Sequence, residues 1–129
     1  MAHFEALHCY WGDLRPPSPG IARRASPPLE LASELRLIVE RIAQHDRDLA
    51  SQVRRAATSV ASCLSEGAQR TGKDRLHLFR ISAGSAAEIK TQLKLALAWG
   101  YVECQQAARA LTLADRMVAI TWRLTRPKT

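Results

Sequence analysis

The stretch Gly67–Asp74, "GAQRTGKD", comes within one residue of the phosphate-binding pattern G-x-x-x-x-G-K-[ST]. That loop works because a strand delivers glycine-rich backbone amides to the phosphates while a Ser or Thr hydroxyl reaches magnesium. Here Asp74 stands at the hydroxyl position, and the residues before Gly67 have the periodicity of a helix. A turn between two helices accounts for the same residues.

General acid-base chemistry would need paired carboxylates or a histidine with a partner. Glu66 and Glu88 fall on helical segments and His45 and His77 near their ends, yet no Glu-x-x-His set of the ferritin type is present. These residues read as capping and salt-bridging groups, and the expectation is a protein that is not an enzyme and needs no cofactor. Cys9, Cys63 and Cys104 are an odd number at wide spacing with no C-x-x-C pair, so neither a disulfide framework nor a zinc site is indicated. His3, His8 and Cys9 could be drawn as ligands, but their grouping in a terminal arm reads as incidental. No signal peptide or long apolar run is evident, so a reduced cytoplasmic location without membrane contact is the default expectation.

What remains is cationic chemistry. The chain carries 19 Lys and Arg against 12 Asp and Glu, a formal net charge of +7, and a surplus of that size on a small domain attracts polyanions. Placement is informative. Arg54, Arg55, Arg70, Lys73 and Arg75 crowd one quarter of the chain, and Arg116, Arg123, Arg126 and Lys128 follow the last acid, Asp115. Cations at a helix C-terminus also suit its dipole.

The elements that must position these charges can be read from periodicity. Residues 1–26 form an arm: Phe4, Leu7, Tyr10, Trp11 and Leu14 recur at roughly helical spacing before "RPPSPG" and "SPP" break any helix. The Pro-x-x-Pro of Pro16 to Pro19 reads as part of a linker. From residue 27 to 129 four apolar stripes follow: Leu31, Leu35, Ile38, Ile42; then Leu49, Val53, Ala56, Val60, Cys63; then Leu76, Phe79, Ala83, Ala86, Leu93, Leu97; then Ala107, Leu111, Ala114, Val118, Thr121. Steps of three and four through four segments predict an all-α chain of four amphipathic helices with bundle-like packing, and the short links favour antiparallel neighbours. Hydrophobic residues make up 47% and aromatics only 5%, which favours an Ala- and Leu-built helical core over a sheet. Asp caps in "HDRD", Gly72 and Asp74 in "TGKD", and Gly100 mark the boundaries. A second stripe on the third segment (Leu78, Ile81, Ser85, Ile89) and on the fourth (Leu113, Met117, Ile120, Leu124) predicts contact between subunits.

A hairpin turning near residues 71 and 72 places residues at equal height when their numbers sum to about 143. Ser59 then meets Gly84, the small run Ala56–Cys63 lies against "RISAGSAA", and the two axes can approach to about 8 Å or less. Arg55 faces the height of Glu88 as an ion-pair partner, whereas Arg54, rotated by about 100°, faces elsewhere.

Two motifs add a resemblance. Gln52, Arg54, Arg55, Ala56, Ser59, Val60, Glu66 and Gly67 fit a pattern close to s-Q-x-r-R-A-x-S-[IV]-p-a-N-I-A-E-G. Gly84, Ser85, Glu88, Gln92, Leu93, Ala96, Gly100 and Tyr101 fit G-S-x-x-E-x-x-x-Q-L, x-x-A and an L-G-Y-like end. From about residue 29 onward the chain resembles the bacterial four-helix bundle proteins encoded in intervening sequences of 23S ribosomal RNA genes. Their relatives include the accessory variability determinant protein of diversity-generating retroelements. The usual proline and asparagine of the first motif are Ala61 and Cys63 here, an acid common after Glu88 is Lys90, and Trp11 sits in the arm rather than at the start of the first helix.

The resemblance implies an antiparallel up-down four-helix bundle that assembles into a homopentameric ring with a basic surface. For the retroelement relatives it implies binding to a reverse transcriptase and its template RNA without catalysis. The expected contacts to RNA or an RNA/DNA hybrid are Arg54, Arg70, Lys73, Arg75, Arg123, Arg126 and Lys128. Arg55, Ser59, Gly67, Gly84, Glu88 and Gln92 are expected to be structural. The competing expectation is an interaction scaffold for an acidic protein, with the arm of residues 1–26 as its docking or swapping element.

Overall fold

Two prolines open the first helix because their missing amides fall where a helix has no acceptor for them. In a computed structural model of the chain, which describes residues 26–126, Pro27 and Pro28 occupy the first positions of α1, Pro27–His45. Asp46 separates α1 from α2, Arg47–Ala68, and serves both. Its extended backbone donates to the Ile42 carbonyl at 2.7 Å, and its carboxylate accepts from the Leu49 amide at 2.9 Å. One acidic residue thus closes one helix and caps the next.

α3 spans Gly72–Ala98 and α4 spans Cys104–Thr125. Gly72 and Gly100 have φ of 61° and 76°, a region that costs a side chain roughly 1 kcal/mol or more. At Gly100 the amide donates to the Leu97 carbonyl and the next amide, of Tyr101, to Ala96, the paired bonds of a Schellman ending. Asp74, expected to start α3, lies within its first turn; Thr71 precedes the helix. At the head of α4 the Glu103 amide donates to the Gln106 side chain at 3.0 Å.

The described residues form four helices and no strand. α1 packs on α2 and α4, and α3 on α2 and α4, so each helix has two neighbours around one core. That core is aliphatic, with Phe79 its largest fully buried side chain. Ser85 Oγ donates to Ser59 Oγ at 2.8 Å, Ser82 Oγ donates to the Val60 carbonyl at 3.0 Å, and Phe79 lies against Gly67. Residue numbers therefore fall along α3 as they rise along α2, at sums of 144, 142 and 146.

Several sequence expectations are corrected. The inward stripe of α2 ends on Leu64, buried, rather than on Cys63, which is half-buried. On α3 the inward residues are Phe79, Ser82, Ala86, Ile89, Leu93 and Ala96, so Ile89 belongs to the core and not to an outer stripe. On α4 Leu113, Met117, Ile120 and Leu124 are all buried within this chain. They are not a face for a neighbouring subunit, because α4 turns one broad apolar face inward that contains both of its stripes. Of the supposed second stripe only Ile81 is an exposed large apolar side chain.

Candidate nucleic-acid interface

Arginines near the α2–α3 turn have different partners. Arg75 comes from the first turn of α3, yet its guanidinium reaches back over the end of α2. It donates to the carbonyls of Arg70 at 2.7 Å, Gly67 at 3.3 Å and Ala68 at 3.3 Å. The last carbonyls of a helix have no partner within it, and a cation among them also opposes the negative end of the helix dipole. Arg75, expected at a nucleic-acid contact, is therefore held as the cap of α2. Arg70 lies beside Glu66 at 3.3 Å, both about half exposed, a geometry worth about 0 to 1 kcal/mol that leaves the guanidinium accessible. Lys73 is exposed in the first turn of α3.

Gly67 is not in a phosphate loop; it lies inside α2. A Cβ there would stand 2.7 Å from Phe79 Cε1 and 3.3 Å from Leu78 Cβ. α2 and α3 thus come close at Gly67 as well as about two turns away, at the level of Ser59 and Val60, where Ser82 and Ser85 bond across. Gly84 is a correction: it is exposed and a Cβ on it would meet nothing within 4 Å. Ser59 meets Ser85 instead, the neighbour of Gly84, while the α2–α3 register stays close to the expected sum of about 143.

Arg55 and Glu88 are a second correction. Both are exposed at matching height, but no ion pair joins them. Glu88 instead accepts from Gln92 Nε2 on its own helix at 3.1 Å. Equal height is not enough when both side chains point outward and a neighbour one turn away is nearer. The interhelical pairs lie elsewhere: Lys90 with Asp115, and Arg109 with both Glu30 at 3.1 Å and Glu34 at 2.9 Å. Gln92 is buried and its Oε1 has no hydrogen-bond partner among the described residues.

Arg54 is exposed on the rim of an open groove of about 430 Å³ between α1 and α2. Leu35, Val39, Ala57 and Ala61 line it, with Arg36 and Glu40 nearby. Among the described residues no group of His, Cys, Asp and Glu could hold a metal ion. No described helix is long and apolar enough to cross a membrane.

From the middle of α4 to the residue just past its end, Arg116, Arg123 and Arg126 are exposed. The guanidinium of Arg126 lies 5.0 Å from the centre of the Trp122 ring, which is 56% exposed. Trp122 was missed among the expected contacts, although a tryptophan four residues before an arginine, in a segment without acids, was a signal for it. Lys128 and the ligand-like His3, His8 and Cys9 lie outside the described residues.

The cations thus fall into two groups, Arg70 with Lys73 at the α2–α3 turn and Arg116, Arg123 and Arg126 along α4, with Arg54 apart on the groove. No curated protein and no solved structure matches the chain. The sequence model of the 23S rRNA-intervening sequence protein family does match, over residues 29–122, a span that takes in both motifs, the Gly67 contact and nearly all of α4. This chain therefore belongs to the 23S rRNA-intervening sequence protein family.

Proposed function

We propose that the protein is a non-enzymatic, oligomeric accessory protein that binds nucleic acid through phosphate-directed arginines. The observation that carries this reading is the stretch after Asp115, where Arg116, Arg123 and Arg126 are all exposed and no acid follows. Arg109, Arg116 and Arg123 recur every seven residues and share one side of α4. The carboxylates of Glu30 and Glu34 engage Arg109, whereas among the described residues no ion pair includes the other two. Arg54, Arg70 and Lys73 extend the basic surface. Arg75 does not belong to it.

In this reading the helices form an antiparallel up-down bundle, supported by the falling and rising numbers of the Ser59–Ser85 and Val60–Ser82 bonds. Five copies assemble in a ring, as the family resemblance suggests, and such an assembly would cover exposed Leu29, Leu37, Ile81 and Leu95. The partners are RNA or an RNA/DNA hybrid and, by likeness to the retroelement accessory proteins, a reverse transcriptase with its template RNA. The cytoplasm is the expected compartment, in keeping with the free thiols of Cys63 and Cys104.

The test is binding of a structured RNA by the full chain across a salt series. Affinity should fall linearly with salt on logarithmic axes, and each of Arg116→Ala and Arg123→Ala should flatten the slope by about 0.7 to 1. No binding at low salt, or affinity indifferent to salt, would overturn the reading. Light scattering checks assembly, and a monomer would remove the ring.

A further inference from the structure

An arginine cluster supplies attraction to phosphate but cannot by itself distinguish a single strand from a duplex. Trp122 adds a different chemistry at the same place. Burying a large apolar side chain gains roughly 1.5–3 kcal/mol, yet α4 buries Met117, Ile120 and Leu124 and leaves the indole 56% exposed. Arg126 lies against its ring at 5.0 Å, and Arg123 is the adjacent residue. The nearest acid before them, Asp115, is engaged by Lys90.

A flat π surface with one guanidinium against it, a second arginine next in sequence and no carboxylate following matches what an unpaired nucleotide offers: an aromatic face joined to phosphates. A duplex offers only the second, since its base faces are stacked on one another. An anionic membrane surface or an acidic protein would also meet this charge, but neither joins a flat π face to each phosphate as a single strand does.

We infer that Trp122, with Arg123 and Arg126, is a stacking platform for an unpaired base of single-stranded nucleic acid, the flanking phosphates being met by the two arginines. This rests on the nucleic-acid reading above and deepens it by naming the strand form. Arg126 both steadies the indole through the cation–π contact and supplies charge, so the platform exists before the strand arrives.

The experiment measures affinities of the full-length protein, Trp122→Ala and Trp122→Phe for labelled oligouridylate and for a perfectly paired RNA duplex, each over a salt series. Circular dichroism checks that the variants retain their helices. The expected result is a loss of about 5- to 100-fold for oligouridylate in Trp122→Ala, with an unchanged salt slope. Trp122→Phe should retain most of the affinity, and duplex binding should be the same in all three proteins. If Trp122→Ala binds oligouridylate as the wild type does, the platform is wrong while the phosphate reading stands. If the wild type binds neither ligand at low salt, both fall. If Trp122→Ala instead changes the mass measured by light scattering and leaves single-strand affinity untouched, the indole is a subunit contact and the proposal is overturned.

Discussion

Ser85 Oγ donates a hydrogen bond to Ser59 Oγ at 2.8 Å, joining the middle of α3 to the middle of α2 across their shared side. Ser59 Oγ also lies 3.8 Å from Cys63 Sγ, and three residues before Ser85 the hydroxyl of Ser82 reaches the Val60 carbonyl. Small polar side chains thus fix the register where aliphatic packing alone would permit sliding. A double-mutant cycle with Ser59→Ala and Ser85→Ala should return a coupling of about 0.5–1 kcal/mol in urea unfolding. Additive losses would mean that the bond does not set the register.

Gly67 and Gly84 should respond in opposite directions to the same change. Gly67→Ala drives a methyl into the Phe79 ring and should cost about 1–3 kcal/mol. Gly84→Ala places its methyl in open space on a helix and should gain up to about 1 kcal/mol. Urea midpoints of the two variants check the contrast, and a loss at Gly84 would show that a partner needs that surface bare.

Arg75→Ala should destabilise the chain by about 1–2 kcal/mol, since the Gly67 and Ala68 carbonyls at the end of α2 and the Arg70 carbonyl in the turn each lose a charged donor. Arg75→Lys should recover only part of this, because an ammonium lacks the planar fork that spans three acceptors. Neither change should flatten the salt dependence of RNA binding as Lys73→Ala should. Amide hydrogen exchange at the end of α2 reports the first effect directly.

Gln92→Leu should leave stability equal or higher, because it removes a buried carbonyl oxygen that has no hydrogen-bond partner. Its bond to Glu88 is lost in the exchange, but Glu88 is exposed and water replaces it. Thermal unfolding would detect the difference, and a fall in midpoint would mean that the amide has a second partner in the assembled protein.

How far the sequence could be read depended on which signals are local. Four helices, the Asp46 cap and the Gly100 ending follow from residues within a few positions of one another. The α2–α3 register followed to within about a residue because a tight turn fixes both helices to one origin. The rotation of α3 and α4 about their own axes did not. In stretches such as "ISAGSAAE" alanine and serine are nearly as acceptable inside as outside, so Ile89 and Ala83 could trade places without breaking the period. The basic site was legible in composition but not residue by residue: nothing in "RTGKDR" says that Arg75 turns back to α2 while Lys73 stays in solvent.

The Arg75 clasp also bears on the order in which a nascent chain can settle. α2 is synthesised before the side chain that completes its end, so its last carbonyl, of Ala68, remains with water until α3 has begun to emerge from the ribosome. The C-terminal turn of α2 should therefore stay frayed in a chain truncated just before Arg75 and become firm once that residue is added. Lengthening Gln69–Thr71 by even a short insertion would carry the guanidinium out of reach, which makes this turn, though exposed, a poor place to graft a tag.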